Sequence, residues 1–187
     1  MADQGAEGVL SPWLRNQRFS AALPYLYGRV LDYGCGSGLL AQHVSPDNYL
    51  GVEPDEASLK KARSVFPMHR FVSKVPENER GFDSIVSLAV IEHVANASEF
   101  LRLLTSFSSD KKDSRIIITT PSPIFEWAHD IGAAIGLFSK HANEEHEELL
   151  DRQKLERAGT EASLNLVVYR RFLFGANQIA VFEKAND

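Results

Sequence analysis

The fold of this chain is decided by one stretch of its sequence, Val30-Leu-Asp-Tyr-Gly-Cys-Gly-Ser-Gly38. The stretch begins with the apolar pattern of a short buried strand that ends at Asp32, and glycines then occupy every second position. Glycines spaced in this way let the backbone turn tightly and let a ligand approach it, because no side chain stands between them. An apolar run from Leu39 to Val44 follows. We therefore interpret residues 30–44 as a strand, a ligand-binding turn and a helix.

The same succession of strand and helix recurs along the chain. Serine and proline at positions 11 and 12 predict the start of a helix that runs through Leu23, where Pro24 ends or bends it. Asp55 is placed to cap a second helix. Strands that alternate with helices indicate a parallel sheet. The predicted strands cover residues 29–32, 49–53, 70–73, 82–88 and 115–120, and the predicted helices between them cover residues 56–65 and 98–106.

The tail of the chain has a different pattern. Gly159 is a helix-stop signal, and the strand-rich runs 164–174 and 179–183 follow it as a predicted antiparallel hairpin. The whole pattern predicts an α/β fold, a Rossmann-like doubly wound seven-stranded sheet of five parallel strands plus this C-terminal antiparallel hairpin. All of it is expected to form one structural domain. The predicted parts are an N-terminal extension and entry helix over 1–28, the main domain over 29–187, and within it a lid or substrate wall over 121–150 with a helix over 124–137.

Composition limits the classes of protein to which the chain can belong. Its 187 residues, 44% hydrophobic and 24% charged, are enough to bury one sizeable core. The single cysteine excludes an internal disulfide and a cysteine-rich zinc site, and a net charge of -5 disfavours bulk binding to nucleic acid. Apolar runs are far shorter than the roughly 20 residues that span a bilayer, and the first residues do not form a secretory signal. We expect a cytoplasmic protein without a membrane span, and leave its oligomeric state open.

Two features narrow the ligand of the glycine turn. A dinucleotide-binding turn has its third glycine at the position that Leu39 occupies here, so a nicotinamide-dependent dehydrogenase is the less favoured alternative. Glu53 ends the second predicted strand roughly 20 positions after Asp32, the offset at which an acidic group accepts hydrogen bonds from ribose hydroxyls. The turn and Glu53 together indicate a ligand that has a ribose and fit poorly with a pyrophosphate.

The stretch resembles the first motif of the class I S-adenosylmethionine-dependent methyltransferase family, in which an acidic residue and then Gly-x-Gly-x-Gly follow the first strand. All four positions match in this sequence: Asp32, Gly34, Gly36 and Gly38. Residues 82–94 resemble the family's fourth motif, and their Ile-Glu-His-Val segment is similar to the signature of the quinone and small-molecule O-methyltransferase branch. The resemblance covers residues 29–122 and implies that 29–187 form a methyltransferase domain.

The resemblance implies S-adenosyl-L-methionine as the cofactor. It places the loop backbone against the methionine and ribose portions, Asp32 near the ammonium group and Pro54 beside the adenine. Arg18 is expected to reach the cofactor's carboxylate, and the alternative is an arginine solvated at the surface. Many relatives carry an aspartate after the third strand for the adenine amino group; this chain has none there, and Ser73 or backbone groups are expected to replace it. The predicted cofactor-binding residues are Arg18, Asp32, Tyr33, Gly34, Cys35, Gly36, Gly38, Glu53, Pro54, Ser87 and Leu88.

The resemblance also implies a small-molecule acceptor that receives the methyl group on an oxygen or a nitrogen. His93 is the candidate catalytic residue, because an imidazole titrates near neutral pH and can take a proton from a hydroxyl. The alternative is that Glu92 and His93 cap or orient the following helix. The segment Ser87-Leu-Ala-Val lacks the residues that nucleic-acid amino-methyltransferases place after strand four, so no nucleic acid is expected as acceptor. The predicted acceptor pocket contains His93, Pro121 and His146.

Two further possibilities concern metal binding and loss of activity. His141 and His146 lie in an acidic segment, but their spacing of five positions does not align two ligands on one helical face, so no metal site is expected. A protein that kept this fold for binding or regulation without catalysis is the competing functional class. Cofactor titration and methyl-transfer assays separate a catalytic methyltransferase from such a binding or regulatory protein.

Overall fold

The computed structural model describes residues 10–123 and 150–185. Within those ranges seven strands form one sheet, and their order across it is β3-β2-β1-β4-β5-β7-β6. Strands β1 to β5 are parallel, and β7 runs antiparallel to both β5 and β6. The predicted fold class, five parallel strands plus an antiparallel hairpin, is therefore confirmed. The strands are β1 (Val30–Tyr33), β2 (Tyr49–Val52), β3 (Arg70–Val72), β4 (Ser84–Leu88), β5 (Arg115–Pro121), β6 (Leu164–Phe172) and β7 (Asn177–Lys184).

The described helices are α1 (Leu10–Ala22), α2 (Glu56–Val65), α3 (Ala97–Thr105) and α4 (Arg152–Glu161). The predicted cap of α2 is confirmed, since the Asp55 carboxylate accepts a hydrogen bond from the Ser58 backbone amide at 2.8 Å. Helix α1 ends at Ala22, and Pro24 lies in the short 3₁₀ turn that follows. The predicted lid helix over 124–137 lies outside the described residues.

The segment after the glycine loop differs from its prediction. Residues Leu39–His43 form a short 3₁₀ helix instead of an α-helix. A second 3₁₀ turn begins at Pro46, and a proline disfavours helical backbone at the residue before it. Pro46 therefore limits the helix to the residues before Ser45, and the 3₁₀ turn Pro46–Asn48 leads into β2.

Gly159 also departs from its prediction, because it lies inside α4 and does not end it. A Cβ atom at this position would come within 2.6 Å of Cε1 in the Phe182 ring. The glycine therefore allows α4 to pack closely against β7. Tertiary contact, which the local sequence does not reveal, accounts for this glycine.

The core lies on both faces of the sheet, as the doubly wound topology requires. On one face Ile85, Ile116 and Ile118 pack with side chains of α3 and α4. On the other face Val86 and Ile117 pack with Phe19 and Ala22 of α1, among others. Helices on both faces bury the sheet and leave the carboxyl ends of its parallel strands as the edge where a ligand can bind. No helix in the described ranges is long and apolar enough to cross a bilayer.

Candidate functional site

A cleft of about 480 Å³ opens at the carboxyl ends of β1, β2, β3 and β4. Its volume lies in the range of small-molecule and cofactor sites. Loops after four adjacent parallel strands supply its walls, which is where ligands bind in doubly wound sheets. The lining residues are Tyr33, Gly34, Val52, Glu53, Pro54, Ser73, Lys74, Val75, Leu88, Ala89, Val90 and Phe107.

The glycine loop is held against β2 and is open on one side. The backbone amides of Gly34 and Cys35 both donate to the Val52 carbonyl, at 2.8 and 3.0 Å. Gly36 has a φ of 52°, and a Cβ added there would meet nothing within 4 Å among the described residues. A Cβ at Gly34 would instead lie 2.5 Å from Cγ2 of Val90. The open space beside Gly36 is a cradle in which a ligand can approach the backbone.

Glu53 joins the loop to the end of β2. Its Oε2 accepts a hydrogen bond from the Gly36 amide at 2.8 Å, and its Oε1 accepts one from the Asp55 amide at 3.0 Å. The carboxylate also lines the cleft. Each carboxylate oxygen has further lone pairs, so the group can accept hydrogen bonds from ligand hydroxyls without leaving this position.

Asp32 lies at the end of β1 but is only 3% exposed and does not line the cleft. The Tyr49 hydroxyl donates to its Oδ2 at 2.6 Å, and Tyr49 is itself 4% exposed. No lysine or arginine of the described ranges forms an ion pair with Asp32. Burial raises the pKa of Asp32 to about 7, against the opposing effect of the Tyr49 hydrogen bond.

Cys35 belongs to the loop, and its Sγ lies 2.9 Å from where a Cβ on Gly51 would stand. Burial, together with the nearby charges of Asp32 and Glu53, raises the pKa of this thiol. A thiol kept protonated is a poor nucleophile, so Cys35 acts in packing beneath the loop.

The end of β4 forms part of the cleft wall. Leu88, Ala89 and Val90 line the cleft, and Ala89 holds a left-handed backbone with a φ of 58°. Its amide donates to the Thr119 carbonyl of β5 at 2.8 Å, which fixes this unusual turn. Ser87, the residue before Leu88, is fully buried, and its Oγ has no hydrogen-bond partner within the described part of the chain.

Glu92 and His93 lie on the 3₁₀ turn that comes after β4, and they differ in their exposure to solvent. His93 is exposed, whereas Glu92 is only 7% exposed. Burial raises the pKa of Glu92, and the charges of His93 and Arg18 act in the opposite direction. Neither side chain caps α3, because the Asn96 side chain accepts from the amides of Ser98 and Glu99 at 3.0 and 3.1 Å.

Arg18 projects from α1 to the place where β5 ends and β7 begins. Its Nε donates to Oδ1 of Asn177 at 3.1 Å, and its charge acts on Glu92. It does not line the cleft. The structure thus places Arg18 beside the β4–β5 side of the site, and its predicted contact with a cofactor carboxylate stays a prediction.

The structure brings together several of the predicted residues. Tyr33, Gly34, Glu53, Pro54 and Leu88 line one cleft, as does Ser73, the expected substitute for the missing aspartate. The other predicted residues of the loop and of β4 do not line the cleft: Asp32, Cys35, Gly36, Gly38 and Ser87. The cleft is also lined by residues that were not predicted, Val52, Lys74, Val75, Val90 and Phe107. Lys74 and Val75 directly follow Ser73, so the missing aspartate after β3 was the signal that could have indicated them. Val52 and Val90 adjoin predicted residues, whereas no sequence signal indicated Phe107.

The acceptor side is described only in part. Pro121 ends β5, and its carbonyl accepts a hydrogen bond from Nε2 of Gln178 at 2.9 Å. His146 lies outside the described residues, as does His141. In the ranges 10–123 and 150–185, no group of three or more histidines, cysteines or carboxylates is placed to hold a metal ion.

Sequence comparison assigns most of the chain to one family. A family model described as a methyltransferase domain matches residues 7–168. A mitochondrial ubiquinone biosynthesis O-methyltransferase of Arabidopsis thaliana is 33% identical over 101 residues, which are 48% of this chain and 31% of that protein. The ubiquinone biosynthesis O-methyltransferase of Agrobacterium fabrum is 36% identical over 83 residues, 39% of this chain and 33% of that protein. The matched segments span about a third of these curated relatives.

Solved structures share the fold at low sequence identity. An S-adenosylmethionine-dependent methyltransferase from Clostridium acetobutylicum superposes with a TM-score of 0.68 at 12% identity, covering 95% of this chain and 97% of that one. The magnesium protoporphyrin IX methyltransferase of Synechocystis PCC 6803, solved with bound SAH, gives a TM-score of 0.66 at 17% identity, covering 97% and 90%. The chain therefore belongs to the methyltransferase-domain family, as a class I, S-adenosylmethionine-dependent member.

Proposed function

We propose that the chain transfers a methyl group from S-adenosyl-L-methionine to an oxygen or nitrogen atom of a small molecule. One observation carries the proposal: Glu53 lines a cleft of about 480 Å³, and its carboxylate is fixed by the backbone amide of Gly36, a residue whose Cβ position is open. The carboxylate can accept hydrogen bonds from a diol at one end of a ligand, while the rest of the ligand lies along the glycine loop.

The residues present fit this cofactor. Glu53 would accept hydrogen bonds from the two ribose hydroxyls, while Pro54 and the segment Ser73–Val75 would border the adenine. The loop at Gly34 and Gly36 would border the methionine portion. The cofactor, when bound, supplies a methyl group already activated by a sulfonium.

The protein's own contribution is alignment and exclusion of water. Leu88, Ala89 and Val90 present an apolar wall at the end of β4, against which the reacting centre would be shielded. Arg18 and Glu92 lie next along this edge, with the predicted pocket residues His93 and Pro121. We propose that this group of residues orients the acceptor, with His93 as the exposed base that can take up its proton.

The curated relatives favour oxygen over nitrogen as the methylated atom, since both are named as O-methyltransferases. The Ile-Glu-His-Val segment, which carries Glu92 and His93, directly follows Val90, a residue that lines the cleft. We therefore place a hydroxyl-bearing acceptor first among the candidates.

A methyl-transfer assay tests this proposal. The purified chain is incubated with S-adenosylmethionine carrying a labelled methyl group and with a panel of small phenols, quinone precursors and amines. We expect label on at least one hydroxyl-bearing compound, and loss of that activity in the Glu53→Ala variant. Saturable cofactor binding without transfer to any compound of the panel would favour the competing class, a binding or regulatory protein.

A further inference from the structure

The pair formed by Tyr49 and Asp32 is the least explained polar feature beneath the glycine loop. Both side chains are almost fully buried, and their oxygens are 2.6 Å apart. A buried carboxylate normally has a cationic partner, because removing its charge from water is costly. Asp32 has a hydroxyl donor but no basic partner in the described ranges.

No described cation acts on the Asp32 carboxylate. Glu53, at the end of β2, adds a negative charge near it, and the Cys35 thiol lies in the loop close to both acids. His69 packs edge-on against the Tyr49 ring, with centroids 5.4 Å apart, and its Nε2 lies 2.9 Å from the Val44 carbonyl. The missing cation is therefore one that a ligand of the loop can bring.

Tyr49 is the first residue of β2, where it pairs with Val30 of β1, two positions before Asp32. Residues two apart on neighbouring parallel strands lie on the same face of the sheet, which lets the hydroxyl reach the carboxylate. The Tyr49 ring is also packed against Phe71, with centroids 5.6 Å apart. Rigid packing of the ring fixes the direction from which the hydroxyl donates.

We propose that Tyr49 is a positioning residue for the cofactor, whose hydroxyl holds the Asp32 carboxylate in place and favours its charged form when a cationic ligand occupies the loop. The inference rests on the proposed function. Without ligand, burial and the neighbouring Glu53 favour the protonated acid, and the hydrogen bond from Tyr49 opposes them. Arrival of an ammonium group above the loop stabilises the carboxylate, and the proton of Asp32 passes to solvent. Binding is therefore coupled to release of a proton.

The test measures the affinity of S-adenosylhomocysteine for wild type and Tyr49→Phe by calorimetric titration between about pH 5.5 and about pH 9. The ligand's own ammonium group titrates equally against both proteins, so the ratio of their Kd values isolates the protein's groups. We expect the variant to bind up to about tenfold more weakly near neutral pH, since tenfold corresponds to one pKa unit. The ratio should fall near pH 9, where Asp32 is ionised in both proteins and only the loss of positioning remains.

Two variants control this experiment. Tyr27→Phe removes a tyrosine hydroxyl that donates to the Asp113 carbonyl at 2.7 Å, at the opposite edge of the sheet, and its Kd ratio to wild type should stay at one at every pH. Asp32→Asn removes the titrating group, so adding Tyr49→Phe to it should give no further pH-dependent loss. A ratio of Tyr49→Phe to wild-type Kd that is the same at all pH values would overturn the inference. A pH-dependent ratio that persists in the Asp32→Asn background would overturn it as well.

A measurement on the wild type keeps the inference testable if Tyr49→Phe does not fold. Titrations at about pH 6.5 in two buffers with different ionisation enthalpies give the number of protons released on binding. We expect a fractional release that Asp32→Asn abolishes, and no release, or release unchanged in that variant, contradicts the inference. Absence of any binding by the wild type would instead reject the proposed function itself.

Discussion

The Glu53 carboxylate is shared between two backbone amides, those of Gly36 and Asp55. Both contacts hold it at the mouth of the cleft, where a charged acceptor makes stronger hydrogen bonds than a neutral one. We expect Glu53→Gln, which keeps the size and removes the charge, to weaken cofactor affinity about tenfold or more. Calorimetric titration measures this, with Glu56→Gln on the exposed first turn of α2 as the matched control. Equal affinities of Glu53→Gln and Glu56→Gln would remove Glu53 from the site.

Asp32 predicts a second effect at the residue scale, which needs no ligand. Burial raises its pKa from 3.8 to about 7, so the folded state favours the neutral acid. The stability that this acid contributes is present in full below about pH 3.8 and is lost as the pH rises toward 7. Asp32→Asn, which stays neutral, should therefore gain stability relative to wild type between about pH 4 and about pH 8. Urea unfolding of both proteins at about pH 4 and about pH 8 measures the difference in their unfolding free energies. If that difference stays constant or shrinks as the pH rises, Asp32 is not buried as an uncompensated acid.

Among the helices, α4 is packed more closely on the sheet than its sequence suggests. Replacing a helical glycine by alanine usually stabilises a helix by about 0.5–1 kcal/mol. Gly159→Ala should instead lower the free energy of unfolding by about 1–3 kcal/mol, because its Cβ would collide with the Phe182 ring. Urea unfolding is the measurement. The neighbouring exposed position gives the control, since Thr160→Ala should change stability little. Stabilisation by Gly159→Ala would show that α4 does not lie this close to β7.

The start of α3 depends on Asn96, whose side chain accepts from two backbone amides. Loss of such a cap costs about 1 kcal/mol. Asn96→Ala should therefore lower the unfolding free energy by that amount, whereas Asn96→Asp, which keeps the accepting oxygen, should stay within a few tenths of wild type. Thermal or urea unfolding distinguishes the two variants. Equal losses in both would assign the start of α3 to another group.

The elements also show what local sequence determines. The strand, glycine loop and Asp55 cap were predictable because each depends on residues that are neighbours in the chain. The 3₁₀ form of the helix over residues 39–43 and the role of Gly159 were not predicted, since the first is limited by Pro46 and the second depends on a contact with Phe182. Local patterns predict which elements exist, whereas contacts across the sheet determine how they end and how closely they pack.

At the scale of the whole molecule, the site depends on which strands become neighbours. The sheet order places β4 next to β1, so the Leu88–Val90 wall faces the glycine loop although more than 50 residues separate them. The contact of Tyr49 with Asp32 and that of Arg18 with Asn177 arise in the same way, from register and long-range packing. No spacing rule of a single sequence reports such contacts. The glycine loop and Glu53 were accessible because their roles depend on residue type and offset.

Cofactor binding is the property of the whole molecule on which the functional account depends. The most direct measurement is a calorimetric titration of S-adenosylmethionine into the intact chain and into Gly36→Val, whose side chain would occupy the open space beside the loop. Urea unfolding checks that the variant is folded. We expect one saturable site in the wild type and much weaker binding in Gly36→Val. A folded wild type that does not bind the cofactor, or a folded Gly36→Val that binds it equally well, would show that the glycine loop is not a cofactor site.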